Sequence, residues 1–230
     1  PLSNDFKDPM KIKNILLSIA FCLLSSSNIS AHGPCCSSEG HLNIHAGPMF
    51  AGKSTTLIRE KEAAIKEGLK VAAFKHAWDD RYSKTEITTH NNESSAAVAT
   101  KNPTDILKDG MEADVVIIDE AQFYDPNLVR VIAKLRAAGK RVVVGGLDQD
   151  FKREGFGIMP ELMAQATTVN KLTATCAVCG CKRATLSQRL VNGNAAEYTD
   201  PVVMVGAEEL YEPRCPKCHN LPGAPEPAER

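Results

Sequence analysis

Between Gly47 and Ser54 the chain reads Gly47-Pro48-Met49-Phe50-Ala51-Gly52-Lys53-Ser54, two glycines with four residues between them and then a lysine and a hydroxyl. This is the spacing of a phosphate-binding loop. The glycines let the backbone curl so that successive N–H groups converge on phosphate oxygens. The helix that follows adds the positive end of its dipole. In such a loop Lys53 reaches the β- and γ-phosphates of ATP and the Ser54 hydroxyl ligates Mg²⁺.

A second acidic motif lies downstream. Val115-Val116-Ile117-Ile118 runs straight into Asp119 and Glu120. The apolar β-branched run predicts a buried parallel strand. Its end would carry two adjacent carboxylates to the carboxyl edge of a sheet, where open α/β folds bind ligands. An acid at this point of a phosphate-loop protein holds Mg²⁺, usually through water, and Asp119 fits that role. Glu120 could take the proton of an attacking hydroxyl as general base. The same pair would also suit an ATPase in which Glu120 polarises a water.

Of eight cysteines, five lie between Cys176 and Cys218. Cys176-x-x-Cys179 and Cys215-x-x-Cys218 are two knuckles with 35 residues between them. Two such pairs complete a tetrahedral Zn²⁺ site of the closed, structural kind, which staples a segment too small to bury a core of its own. Cys181 and His219 are competing ligands. Cys22, Cys35 and Cys36 have no matching pair.

The elements that would position these groups follow from pattern. A strand over His41–His45 leads into the loop. A helix from Lys53 to about Glu67 is closed by Gly68. A strand is expected over Leu69–Phe74. A polar stretch over 77–104 reads as a long loop or lid, with a short strand near Ala96–Ala99, and Ile106–Lys108 belong to a short helix. After the acidic strand, Asp125 caps a helix over Pro126–Ala138, with proline at the position that needs no N–H. A further buried strand covers Arg141–Val144. Alternating strands and helices predict a parallel sheet covered on both faces. Beyond about Lys171, cysteine pairs and short strands replace this rhythm.

Composition is that of an ordinary globular chain of 230 residues, 43% apolar and 24% charged, with net charge −1 and aromatics at 5%. The charge speaks against a polyanion-binding surface and the scarcity of aromatics against a base-stacking platform. No nucleic-acid partner is expected. Near the N-terminus, Lys11 and Lys13 precede the apolar run Ile15–Leu24 and three serines, a signal-like pattern that holds no arginine through residue 40. The run is too short for an ordinary membrane span, so no membrane partner is expected. Two readings stand for it: a disordered leader on a cytoplasmic protein, or an organelle-targeting sequence.

Taken together, the motifs resemble the thymidine kinase family of cellular organisms, which includes the human cytosolic enzyme and many bacterial ones. The resemblance covers about residues 42–219. It rests on GPMFAGKST at 47–55, DDRYS at 79–83, IIDEAQF at 117–123, GLDQDFKREGFG at 146–157, KLTATCAVC at 171–179 and YEPRCPKC at 211–218. It implies an α/β fold: a phosphate-loop kinase domain on a parallel sheet with a small zinc-ribbon, or lasso, module. It implies transfer of the γ-phosphate of ATP to the 5′-hydroxyl of thymidine or deoxyuridine, in nucleotide salvage for DNA synthesis. Glu120 matches the family's general base. The loop residues 47–54 with Thr55, Asp119 and Gln122 match ATP and Mg²⁺ contacts. Met49, Leu147, Phe151, Phe156 and Tyr211 match positions around the thymine ring, and Val203, Val205 and Gly206 lie where the lasso backbone would hold it. Arg81 falls in a segment bearing a phosphate-side arginine. The family is usually tetrameric and is inhibited by thymidine triphosphate. Ala121 departs from it, standing where many relatives carry glycine; this is tolerable unless φ is positive there.

The expected organisation is a leader or linker over 1–40, a kinase domain over 41–171, a zinc-binding lasso over 172–219 and a disordered tail over 220–230. Two rivals compete with the kinase reading: an ATPase of the same broad fold, and a zinc-ribbon nucleic-acid binder, for which the net charge gives little support.

Overall fold

The β-branched runs that read as buried strands form the centre of one parallel sheet. The structure, a computed structural model, describes residues 39–78, 86–88, 94–203 and 210–225. Its main sheet is built from β1 (Leu42–Ala46), β2 (Val71–His76), β5 (Val98–Thr100), β6 (Val115–Asp119), β7 (Arg141–Gly146) and β8 (Thr168–Lys171). Their order is β5-β2-β6-β7-β1-β8, and every adjacent pair is parallel. All six carboxyl ends therefore meet along one edge, and β7 separates the strand before the phosphate loop from the strand bearing Asp119.

Alternation along β6 divides the core into two layers. Val116 and Ile118 pack with Leu42, Ile44, Phe74 and Val144 on one face. There they meet α3 (Asn127–Ala137) and α4 (Met159–Gln165) through Leu128, Ile132, Leu135, Met159 and Leu162. Helix α2 (Pro103–Met111) joins this layer through Ile106. Val115 and Ile117 face the other way, onto Leu57, Ile58 and Ala64 of α1 (Lys53–Lys66). Both faces are thus covered, as strands apolar on both sides require.

The end of α1 explains one shift from the expected boundaries. Gly68 takes φ 79°, its N–H donates to the Ile65 carbonyl, and the Leu69 N–H donates to that of Ala64. This double closure is a Schellman motif, so Leu69 finishes the helix and β2 begins at Val71. The stretch read as a lid holds β3 (Glu86–Thr88), antiparallel to β4 (Ser94–Ala96), before β5. The helix expected around Ile106 is a full α2, with Pro103 in its first turn and the Asn102 side chain accepting the Thr104 N–H at 3.0 Å.

A second, antiparallel sheet follows the main one: β9 (Leu186–Val191) flanked by β10 (Asn194–Ala195) and β11 (Leu210–Arg214). Of the expected tail, residues 220–225 are placed: the Asn220 N–H donates to Gln188 Oε1 at 2.8 Å, and the Pro222 carbonyl accepts the Tyr198 N–H at 2.9 Å. Residues 1–38, with the leader and Cys22, Cys35 and Cys36, lie outside the described residues, as do Arg81, Val205, Gly206 and residues 226–230. Among the described residues no helix is long and apolar enough to cross a membrane.

Candidate active site

The phosphate-loop motif forms the turn between β1 and α1. Phe50 (φ 63°) and Gly52 (φ 83°) are both left-handed, the backbone alternation that turns N–H groups toward a common concavity. Lys53 is buried, and its ammonium donates to the Pro48 carbonyl across the loop at 2.8 Å. Ser54, one residue on, donates its hydroxyl to Asp119 Oδ2 at 2.8 Å. The strand between them allows this reach. A Cβ on Gly145 of β7 would stand 2.9 Å from Asp119 Oδ1, and one on Gly146 would stand 2.9 Å from Gln122 Oε1. The paired glycines leave the space through which both side chains pass over β7.

Asp119 is 4% exposed. Burial, followed by the neighbouring Glu120 charge, raises its carboxyl from 3.8 to about 6 against the opposing bonds from Ser54 and the Glu120 N–H. Glu120 itself sits at φ 55° and ψ 43°, a left-handed conformation that costs a non-glycine residue roughly 1 kcal/mol. It turns the chain out of β6 into a 3₁₀ turn over Ala121–Phe123. The positive φ therefore falls on Glu120, and the buried Ala121 meets no such demand. The Gln122 amide donates to the Glu120 carboxylate. Its orientation is set from the other end, where Gln122 Oε1 accepts the Leu147 N–H at 3.0 Å. A continuous chain of polar contacts thus links Ser54, Asp119, Glu120, Gln122 and Leu147.

The loop over 147–157 forms the next wall. Asp150 Oδ1 accepts the N–H groups of Lys152 and Glu154 at 2.8 and 3.0 Å, which closes the loop tip. Gly157 (φ 54°) runs against the 3₁₀ turn so closely that a Cβ would stand 2.2 Å from the Gln122 carbonyl. This approach sets Phe156 edge-on to Phe123, ring centroids 5.7 Å apart. Phe151 is buried, with the Arg189 guanidinium 5.2 Å from its ring centroid. Beside the phosphate loop is a cavity of about 200 Å³ lined by Gly47, Pro48 and the ion pair of Lys171 with Asp148, at 3.0 Å.

Residues 40–219 match the family model for thymidine kinase. The chain belongs to the thymidine kinase family. Among solved structures it is similar to a DNA replication initiation factor, at 10% identity and TM-score 0.37 over 73% of this chain and 48% of that one. It is similar also to a genome packaging NTPase from Sulfolobus turreted icosahedral virus 2, at 16% and 0.39 over 57% and 74%. A third is the flagellar accessory protein FlaH from Methanocaldococcus jannaschii, at 14% and 0.39 over 68% and 75%. The chain spans about half the length of the first of these.

Within this thymidine kinase fold the cysteines converge. The sulfurs of Cys176, Cys179, Cys181 and Cys215 all lie within 4.8 Å of one another, and those of Cys179 and Cys215 are 3.8 Å apart. Cys218 packs against the same cluster, its N–H donating to the Cys215 carbonyl at 3.0 Å. Backbone donation, from Cys179 first, lowers the Cys176 thiol to about 6, the thiolate character a metal ligand needs. His219, a competing ligand on sequence grounds, points elsewhere. Its Nδ1 accepts from Arg153 Nε at 3.1 Å, and burial followed by the Arg153 charge lowers its pKa to about 4.

Of the other residues expected around a nucleoside, Met49 lies at the loop, half-buried. Tyr211 is half-buried on β11, opposite Arg189 of β9, and Val203 is 42% exposed. Thr55 follows Ser54 into the first turn of α1. Three further contributors have no role assigned by the sequence motifs. Ser187 Oγ accepts the Met49 N–H at 3.0 Å, tying β9 to the phosphate loop. Arg189 is fully buried and donates to the Pro201 carbonyl at 2.6 Å. Phe123 backs Phe156. Strand β9 is polar in sequence yet buried, so no hydrophobic period marks it.

Proposed function

We propose that the chain phosphorylates the 5′-hydroxyl of thymidine, and of deoxyuridine, with ATP as donor, serving nucleotide salvage for DNA synthesis. The observation that carries this reading is the polar chain from Ser54 through Asp119 and Glu120 to Gln122. It sets a hydroxyl–carboxylate pair beside the phosphate loop and a second carboxylate beside the aromatic loop over 147–157. The loop N–H groups and Lys53 would bind the phosphates and neutralise charge as it builds on the transferring group. The hard oxygens of Ser54 and Asp119, 2.8 Å apart, fit Mg²⁺. The ion, when bound, supplies positive charge to the phosphate oxygens. Glu120, held by the Gln122 amide, would take the hydroxyl proton as its oxygen attacks phosphorus.

Met49, Leu147, Phe151, Phe156 and Tyr211 would surround the thymine, with the backbone near Val203, Val205 and Gly206 closing over it. Cys176, Cys179, Cys215 and Cys218 would hold a structural Zn²⁺, a reading supported by the convergence of the first three thiols. The clamp would fix both ends of the closing segment and so lower the entropy of closure. On this reading residues 41–171 act as the kinase domain and 172–219 as the lasso. The family resemblance extends the proposal to a tetramer, to inhibition by thymidine triphosphate and to a cytoplasmic location.

Phosphorus NMR of a mixture of protein, Mg²⁺, ATP and thymidine tests the reading. It predicts a growing 5′-monophosphate ester resonance matched by ADP. Inorganic phosphate with no ester would contradict it and favour an ATPase.

A further inference from the structure

Five thiols meet where a closed zinc site needs four. In a tetrahedral four-thiolate site, sulfurs about 2.3 Å from the ion are roughly 3.8 Å apart. The Cys179–Cys215 pair already stands at 3.8 Å, so these two form an edge that any bound ion would share. Cys218 packs against the small cluster that Cys176 and Cys215 form with Ala174 and Ala184. Cys181 belongs with this edge and with Cys176 to the four sulfurs that lie within 4.8 Å of one another. Cys176, Cys179 and Cys215 can therefore share an ion with either of two fourth ligands: Cys218, which the paired C-x-x-C spacing offers, and Cys181, whose sulfur the fold groups with theirs.

The backbone holds Cys181 ready for this role. Gly180 at φ 68° reverses the chain. The Gly180 N–H donates to the Cys176 carbonyl at 2.9 Å, and the Cys176 N–H to that of Cys181 at 2.8 Å. Cys181 is thus ordered within the first knuckle, and recruiting it fixes little further chain. Cys218 precedes His219, which is held by Arg153. Zn²⁺ has no d-electron preference among equivalent thiolates, so geometry alone selects between them.

We propose that Cys181 is a reserve zinc ligand, which completes a four-thiolate site with Cys176, Cys179 and Cys215 when Cys218 is lost. This rests on reading the cluster as a zinc site. The test uses the full chain as wild type, Cys181→Ser, Cys218→Ser and the double variant, each loaded with zinc for stoichiometry and with cobalt for spectroscopy. Thiolate-to-cobalt charge-transfer and d–d bands report how many sulfurs bind. Both single variants should keep about one metal per chain and a four-thiolate spectrum, whereas the double variant should lose the fourth thiolate or the metal. A Cys218→Ser protein that fails to fold, loses metal or shows three thiolates while the wild type binds four overturns the reserve role. So does a double variant that keeps four. A wild-type chain that binds no metal overturns the zinc reading itself.

Discussion

Gly145 leaves open the path by which Asp119 reaches Ser54: a Cβ at this position would lie 2.9 Å from Asp119 Oδ1 and 2.7 Å from Leu57 Cδ1. The leucine tip can yield. The carboxylate cannot move without leaving the Ser54 hydroxyl, 2.8 Å away. Gly145→Ala should therefore keep the fold and lower kcat/KM for Mg-ATP by roughly a hundredfold, the order for about 1 Å of misplacement at a reacting centre. Steady-state kinetics beside a circular dichroism melt would check this. Near wild-type kinetics would show that the reach of Asp119 over β7 is unimportant.

Glu120 combines the proposed proton acceptor with a left-handed backbone. Glu120→Gln keeps the backbone and removes the base. It should lower turnover about a hundredfold or more and leave ATP affinity, measured by calorimetry, within a few-fold. Glu120→Gly should be equally inactive yet unfold at a higher temperature, because glycine accepts this conformation without strain. A Glu120→Gly protein that melts below Glu120→Gln would count against stored strain at this turn.

The buried Asp119 carboxyl predicts a pH-dependent exchange of stability for function. Its pKa in the folded protein, about 6, lies above its ordinary value of 3.8. Between these values the folded state holds more protons than the unfolded chain, so stability falls as pH rises through this window. Above it the full cost, about 3 kcal/mol, is present. Asp119→Asn removes the titration, and the Ser54 hydroxyl can turn to accept from the new amide. Without Mg²⁺ and nucleotide, the variant should gain thermal stability over wild type as pH rises from about 4 to 7, while losing activity. A difference independent of pH would contradict the burial argument.

Arg189 joins the loop wall to the segment before Val203, stacking on Phe151 and donating to the Pro201 carbonyl. Arg189→Leu should raise the KM for thymidine about tenfold or more, the order for losing a charged hydrogen bond, with little change in that for ATP. Equal effects on both substrates would mean a general loss of structure.

The parts legible in the sequence are those whose signal is local. The phosphate loop is contiguous, β6 announces itself by a run of β-branched residues, and the Gly68 cap is visible at the end of α1. What escaped has no local signal. Every residue of β8 is exposed at the sheet edge, so it shows no apolar alternation. Helix α4 is seven residues long with Pro160 in its first turn, too short for a helical period to stand out. The site's cross-links are long-range as well: Ser187 meets Met49 across 138 positions. Cys181 reads in the sequence only as a competing ligand, and the turn at Gly180 is what places it among the others. Glycines 145 and 146 fall just beyond the strand expected over Arg141–Val144, and their purpose appears only when Asp119 and Gln122 are seen beside them.

Kinase and ATPase are separated by following the γ-phosphate of labelled ATP, with Mg²⁺ and the full chain, in the presence of thymidine, of deoxycytidine, or of no nucleoside. Phosphoryl transfer to thymidine predicts label on thymidine 5′-monophosphate, none on deoxycytidine, and little phosphate release without a nucleoside. Rapid release of labelled phosphate in all three mixtures, with no labelled nucleoside, would contradict it and leave Glu120 acting on water.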